Sequence, residues 1–192
     1  DLFTLLTPED ADRFRRAGLN NTAWLPNPLA FWPDAPVLPS AQPPTLTYLG
    51  RLSAEKGPRF LVEAWGMIAA RHPDWMLRIV GSGPDEAAVR KAAGGLSHGA
   101  DRIVFVPPVT DAETELRRSG LLVLPSLTEG LPLSLAEAMA LGLPCVATDC
   151  SAGVRLLAQD GEAAALVPRA DAEALAGELD RLMSDADRRD AL

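Results

Sequence analysis

From Thr45 to its end the chain alternates, six times over, between a short apolar run and a longer segment with helical spacing. The runs are "TLTYLG", "WMLRIVG", "RIVFVPP", "LLVLPS", "PCVATD" and "AAALVP". They show no apolar–polar alternation, which is expected of strands covered on both faces. Between them lie helical segments. In "PRFLVEAWGMIAARHP" the residues Leu61, Ala64, Trp65, Ile68 and Ala69 recur on one side. "PDEAAVRKAAGG", "LSLAEAMALG" and "AGVRLLAQDG" read as helices too, and "TDAETELRRSG" opens on an expected capping box of Thr110 and Glu113. The last helix, "DAEALAGELDRLMSD", gathers Leu175, Leu179, Leu182 and Met183. Strict β–α alternation requires parallel pairing through right-handed crossovers. The expected fold class is therefore α/β: a doubly wound, Rossmann-like parallel sheet with helices on both faces.

The first 44 residues have a different texture. "LFTLLT" reads as a strand, and "PEDADRFRRAG" as a helix capped by Thr7, with Pro8 in its first turn and Gly18 at its end. "WLPNPLAFWPDAPVLPSAQPP" is Pro-rich and reads as an extended linker. The expected division is 1–44, a joining segment, and 45–192, the α/β domain. The abrupt start, "DLFTLLTPEDADRF", and the end within a helix, "DADRRDAL", suggest a piece of a longer protein.

Ligands of doubly wound sheets bind beyond the carboxyl ends of the strands. That directs attention to the loops after Leu49, Val80, Val106, Leu124 and Thr148. In "GRLSAEKG", Gly50 leaves the strand and Arg51 and Lys56 follow. A guanidinium fork and an ammonium beside a helix start suit a phosphate or diphosphate; the plainer reading is two solvated surface cations. In "VGSGPDE", Gly81 and Gly83 allow close backbone approach. The loop is not a dinucleotide fingerprint, because Glu86 stands where a third glycine is needed, and a tight strand-to-helix turn accounts for it. After Val106, "PPVTD" is stiff, and a rigid backbone edge there can read a flat base.

The stretch "TEGLPLSLAEAMALG" says most. Gly130 permits a bend, and Pro132 suits the first helical turn, where its missing N–H costs nothing. The free N–H groups from Gly130 through Leu131 to Leu133 form a seat for a diphosphate at the positive end of the helix dipole. Glu129 precedes that seat. Glu137 lies about one and a half turns further along, placed to accept from a ribose diol. Taken singly, Glu129 reads equally as dipole complementarity and Glu137 as an exposed helix residue. A retaining glycosidase would hold two carboxyls ~5 Å apart across one bond, which this loop-and-helix arrangement does not suit.

Composition removes some classes. The formal net charge is −8, which disfavours a nucleic-acid surface. Cys145 and Cys150 are the only cysteines, and His72 and His98 stand apart, so no metal spacing is written. No apolar run nears the ~18 residues of a membrane span, and no basic-then-apolar leader opens the chain. A reduced, cytoplasmic setting is the expectation.

In order and spacing, "GRLSAEKG", "VGSGP", "LPSLTEGLPLSLAEAMALGLPCVATD" and "GEAAALVP" resemble glycosyltransferase family 4, whose members are retaining, nucleotide-sugar-dependent enzymes of the GT-B fold. The likeness is dense from Thr45 to the end. It is thinner over "TPEDADRFRRAGL" and "LPNPLAFWP", which look like the join between two GT-B domains. The resemblance implies the C-terminal, donor-binding half of a hexosyltransferase. Arg51, Lys56 and the amides from Gly130 to Leu133 would hold the donor diphosphate. Glu129 would lie near the transferred sugar and Glu137 on the ribose, and the segment at Val106 would face the base. Gly50, Gly81 and Gly83 would border the donor. The donor implied is a nucleotide-diphosphate sugar, uridine being the default base, with no further cofactor and no metal. The acceptor implied is a glycan or lipid-linked molecule reached through an absent N-terminal domain. Peripheral attachment to the inner face of a membrane stays open, and this piece alone is expected to transfer little. Two rivals are a nicotinamide-dependent oxidoreductase and a partner-binding module using Phe31 and Trp32.

Overall fold

The computed structural model describes residues 1–192. Six strands form one sheet: β3 (Thr45–Leu49), β4 (Met76–Val80), β5 (Ile103–Val106), β6 (Leu121–Leu124), β7 (Cys145–Thr148) and β8 (Ala165–Val167). Every pairing is parallel, in the order β5-β4-β3-β6-β7-β8. The connecting helices are α2 (Pro58–Ile68), α3 (Glu86–Gly94), α4 (Ala112–Leu116), α5 (Leu133–Ala140) and α6 (Ala152–Ala158), with α7 (Ala172–Ser184) and α8 (Ala186–Ala191) closing the chain.

Continuous apolar strands follow from a two-residue side-chain period with cover on both sides. In β6, Leu121 and Val123 join the core cluster built on Trp65, Leu61 and Leu179. Leu122 and Leu124 join the opposite cluster, with Leu135, Ala138 and Val154. In β7, Val146 faces the first layer, and Cys145 and Ala147 the second. The doubly wound, Rossmann-like class is thus the class observed.

The chain winds outward from β3 through β4 to β5, then returns to lay β6 on β3's other side. Loops after β3 and β6 therefore diverge at their strand ends and leave a crevice between them. Backbone stitches fix its walls: Leu127 N–H donates to the Glu55 carbonyl at 2.8 Å, joining the two loops.

Residues 1–24 add a small unit. Thr7 caps α1 (Pro8–Arg16) by accepting from Asp10 N–H at 3.1 Å, as expected. β1 (Phe3–Leu5) pairs in parallel with β2 (Thr22–Trp24). Three residues show no period, which makes β2 illegible in the sequence, and its last residue, Trp24, lies inside the stretch that reads as linker. From Leu25 to Pro44 the chain has bends but no regular secondary structure apart from the helical turn Pro39–Ala41. That segment is tied down, with Val37 N–H donating to the Leu141 carbonyl at 2.7 Å.

Two local expectations are corrected. The cap of α4 is Asp111, whose Oδ1 accepts from Thr114 N–H at 2.9 Å, not Thr110. The carboxylate captures the first-turn donor one residue later, and Glu113 turns instead to Arg117 at 2.9 Å. Pro132 is the residue before α5 rather than its first: its ψ of 114° is extended, and the helix begins at Leu133. No helix is long and apolar enough to cross a membrane.

Candidate functional site: a cationic crevice at the switch point

Between the ends of β3 and β6 lies a cleft of about 370 Å³. Gly50, Arg51 and Lys56 border it from one side, and Glu129, Leu131 and Leu133 from the other. Six of the expected site residues, drawn from two loops distant in sequence, therefore converge.

The Arg51 loop is set by its neighbours. Gly50 N–H donates to the Val80 carbonyl at 3.0 Å and Leu52 N–H to the Ser82 carbonyl at 2.9 Å. A Cβ at Gly81, whose φ is +136°, would stand 1.9 Å from the Gly50 carbonyl oxygen, and one at Gly83 would stand 2.2 Å from that of Leu52. Both glycines thus admit neighbouring backbone. Gly81 also borders a groove of about 300 Å³ that continues from Arg51 past Ser82 to Pro108 and Val109. Gly83 borders neither space. The Arg51 guanidinium has no hydrogen-bond partner in the protein and is exposed.

Lys56 stands at the end of the helical turn Ala54–Lys56. Its Nζ donates to Oε1 and Oε2 of Glu129, each at 2.7 Å. Ser126 Oγ donates to the same Oε1 at 2.7 Å. The Glu129 side chain is only 5% exposed and that of Lys56 31%. Among the residues bordering the cleft the pair neutralises itself and leaves Arg51 as the remaining cation, with the Glu55 carboxylate close enough to interact with it. Thr148, at the end of β7, donates its hydroxyl to the Ser126 carbonyl and braces the loop from below.

At the start of α5, Ala136 N–H is the first to find a helical acceptor, the Pro132 carbonyl at 3.2 Å. The N–H groups of Leu133, Ser134 and Leu135 have none, as helix geometry requires. Those of Leu133 and Ser134 sit on residues bordering the cleft. Gly130 does not border it; its carbonyl is pressed by α6, where a Cβ at Gly153 would stand 1.7 Å from the Gly130 oxygen. Sequence reasoning missed Gly153, and also Tyr48, Ser126 and Asn27, which line the cleft. Only Ser126, three residues before Glu129, carried any sequence signal.

Val106 lies outside both spaces, and its carbonyl is taken by Gly81 N–H at 2.9 Å. The accessible edge of that loop is two to three residues later, at Pro108 and Val109. Glu137 does not border the cleft either. It lies one turn behind Ser134 and is buried, 6% exposed, with the Ala30 backbone N–H beside its carboxylate. An exposed helix residue it is not.

Burial pushes the Glu137 carboxyl above its ordinary value of 4.5, while Ala30 pulls the other way. A raised folded value means that stability is full below the unfolded pKa and is lost as pH rises through the folded one. Glu137→Gln is therefore expected to raise Tm at pH 7–8, with a gain that fades below about pH 4. Calorimetry across that range checks this. A gain of the same size at every pH would show that charge burial is not its origin.

No three His, Cys, Asp or Glu side chains are grouped to hold a metal ion.

The sequence profile of the family described as "Glycosyl transferases group 1" matches residues 43–185. An uncharacterized glycosyltransferase of Haemophilus influenzae is 36% identical over 166 residues, which cover 86% of this chain and 46% of that protein. A phosphatidyl-myo-inositol mannosyltransferase of Mycolicibacterium smegmatis is 37% identical over 163 residues, covering 82% of this chain and 41% of that protein. A crystal structure of an S. aureus TarM variant with fondaparinux, alpha-GlcNAc-glycerol and UDP superposes with a TM-score of 0.86. That match covers 98% of this chain and 38% of that one at 19% identity, a likeness of fold. The chain spans less than half the length of these two curated relatives. The profile covers most of the chain and the crevice sits where the motifs place it: this chain belongs to the group 1 glycosyl transferases.

Proposed function

We propose that residues 45–192 are the donor-binding domain of a retaining family 4 glycosyltransferase. It takes a nucleotide-diphosphate sugar, with uridine as the default base, and passes a hexose to a glycan or lipid-linked acceptor. Residues 1–44 join it to a further domain that holds the acceptor. The observation that carries this reading is the convergence of Arg51, Lys56 and the unpaired α5 amides on one cleft at the switch point.

Breaking an anomeric bond places extra negative charge on the departing nucleotide diphosphate. Cations and oriented amides already fixed there stabilise the transition state more than the ground state. In this reading they carry the phosphate charge with no separate cofactor. Glu129, held between Lys56 and Ser126, presents a carboxylate edge to the sugar. The groove toward Pro108 and Val109 takes the base. For Glu137 to meet the ribose, its carboxylate has to turn from Ala30 toward Ser134. The UDP in the TarM crystal, and the mannosyl transfer named for the mycobacterial relative, support the donor class. Nothing favours the nicotinamide reading, since Glu86 stands where the fingerprint's third glycine is needed.

Isothermal titration with UDP, GDP, UDP-glucose, GDP-mannose and uridine tests the reading. Diphosphates are expected to bind and the free nucleoside to bind far more weakly. Uridine binding as tightly as UDP would remove the phosphate seat from the proposal.

A further inference from the structure

We infer that Tyr48 is a positioning residue for Arg51, its buried hydroxyl fixing the turn from which the guanidinium enters the phosphate cleft. The inference rests on reading that cleft as a nucleotide-diphosphate site. Tyr48 is the penultimate residue of β3 and is 1% exposed. Its hydroxyl donates to the Arg51 carbonyl at 2.6 Å. That carbonyl also accepts from Ser53 N–H at 3.1 Å. The phenol runs along the strand toward its carboxyl end and passes under Gly50, where a Cβ would stand 3.4 Å from Oη.

The turn is thus clasped from two sides. On one, Gly81 lets the β4 loop lie against the Gly50 carbonyl, and Leu52 N–H reaches Ser82 at 2.9 Å. On the other, the phenol and the Ser53 N–H share the Arg51 carbonyl, and the phenol is the one side-chain tie. Arg51 itself has no side-chain partner, so the direction of its exposed side chain is inherited from the backbone beneath it. Holding that backbone still lowers the ordering cost when the guanidinium meets a phosphate. The hydroxyl stays a donor across ordinary pH: burial, and then the carboxylates of Glu129 and Glu55, hold its ionisation well above the usual range. A phenylalanine would fill the same core space, so packing alone does not call for the hydroxyl.

The test is a double-mutant cycle read by titration with UDP and with uridine. Arg51→Ala is expected to weaken UDP and spare uridine. Tyr48→Phe is expected to weaken UDP by about three- to tenfold, the range of one net hydrogen bond, and uridine by less than about twofold. The double variant is expected to be no more than about twofold weaker for UDP than Arg51→Ala alone. Unchanged UDP binding by Tyr48→Phe, equal losses for UDP and uridine, or full additivity with Arg51→Ala would overturn the inference and leave the cleft reading standing. Unchanged UDP binding by Arg51→Ala would instead strike the cleft reading itself. A second measurement does not depend on the folding of Tyr48→Phe. Tyr48 is the chain's only tyrosine, so 3-fluorotyrosine supplies a single ¹⁹F reporter. UDP is expected to shift it in the wild-type protein and not in Arg51→Ala; the same shift in both contradicts the coupling.

Discussion

Lys56→Ala is expected to weaken UDP binding about ten- to a hundredfold, the worth of a charge-assisted hydrogen bond, and to lower fold stability as well. Both effects come from one atom. Lys56 Nζ faces the cleft and holds both oxygens of Glu129 at 2.7 Å. Without it, a carboxylate only 5% exposed keeps Ser126 alone as a side-chain donor. Breaking a fully buried pair costs about 3–5 kcal/mol. Because Lys56 is 31% exposed, about 1–3 kcal/mol is the fitting scale here. A second substitution separates the two roles. In Lys56→Ala/Glu129→Gln the stranded charge is gone, so Tm should recover while UDP affinity should not. Thermal melts and titration calorimetry on the same samples read both. Recovered UDP affinity in the double variant would mean that Lys56 serves only to neutralise Glu129.

Gly153→Ala should be strongly damaging. A methyl there would sit 1.7 Å from the Gly130 carbonyl oxygen and 3.1 Å from the Leu131 Cα. Both are backbone atoms, so no rotamer change gives relief; α6 or the loop before α5 has to move. Overpacking of this kind costs about 3 kcal/mol or more. For a chain of this size that lowers Tm by about 6–12 °C. The displaced segment leads directly into the amides of Leu133 and Ser134, so the folded fraction should also bind UDP more weakly than wild type. Calorimetry followed by titration at low temperature checks both parts. A wild-type melt would show that α6 yields freely and does not brace the loop.

Much of this was legible in the sequence, for identifiable reasons. Six apolar runs without alternation forced strands buried on both faces, and their alternation with helices forced parallel crossovers. A Gly-Leu-Pro turn before a helix marked where the unpaired first-turn amides lie, even though Pro132 lies just outside the helix. What stayed hidden depends on contacts between residues far apart in the chain. The need for glycine at position 153 is set by Gly130, and nothing local announces it. Lys56 and Glu129 were both singled out, yet their direct pairing follows from the β3–β6 adjacency. Glu137 looks exposed on a helix wheel because the segment around Ala30 that covers it has no periodicity to read. Val106 lies two residues short of the accessible edge, since its carbonyl is spent on Gly81 and the loop opens only at Pro108.

The central physical proposition is that a guanidinium, an ammonium and unpaired helix amides converge to hold a diphosphate at the switch point. Amide chemical-shift mapping during a UDP titration tests it most directly. We expect the largest, saturable shifts at Arg51, Leu133 and Ser134, with smaller ones at Ser82 and Val109. Shifts confined to surfaces away from these residues, or none at millimolar UDP, would contradict it.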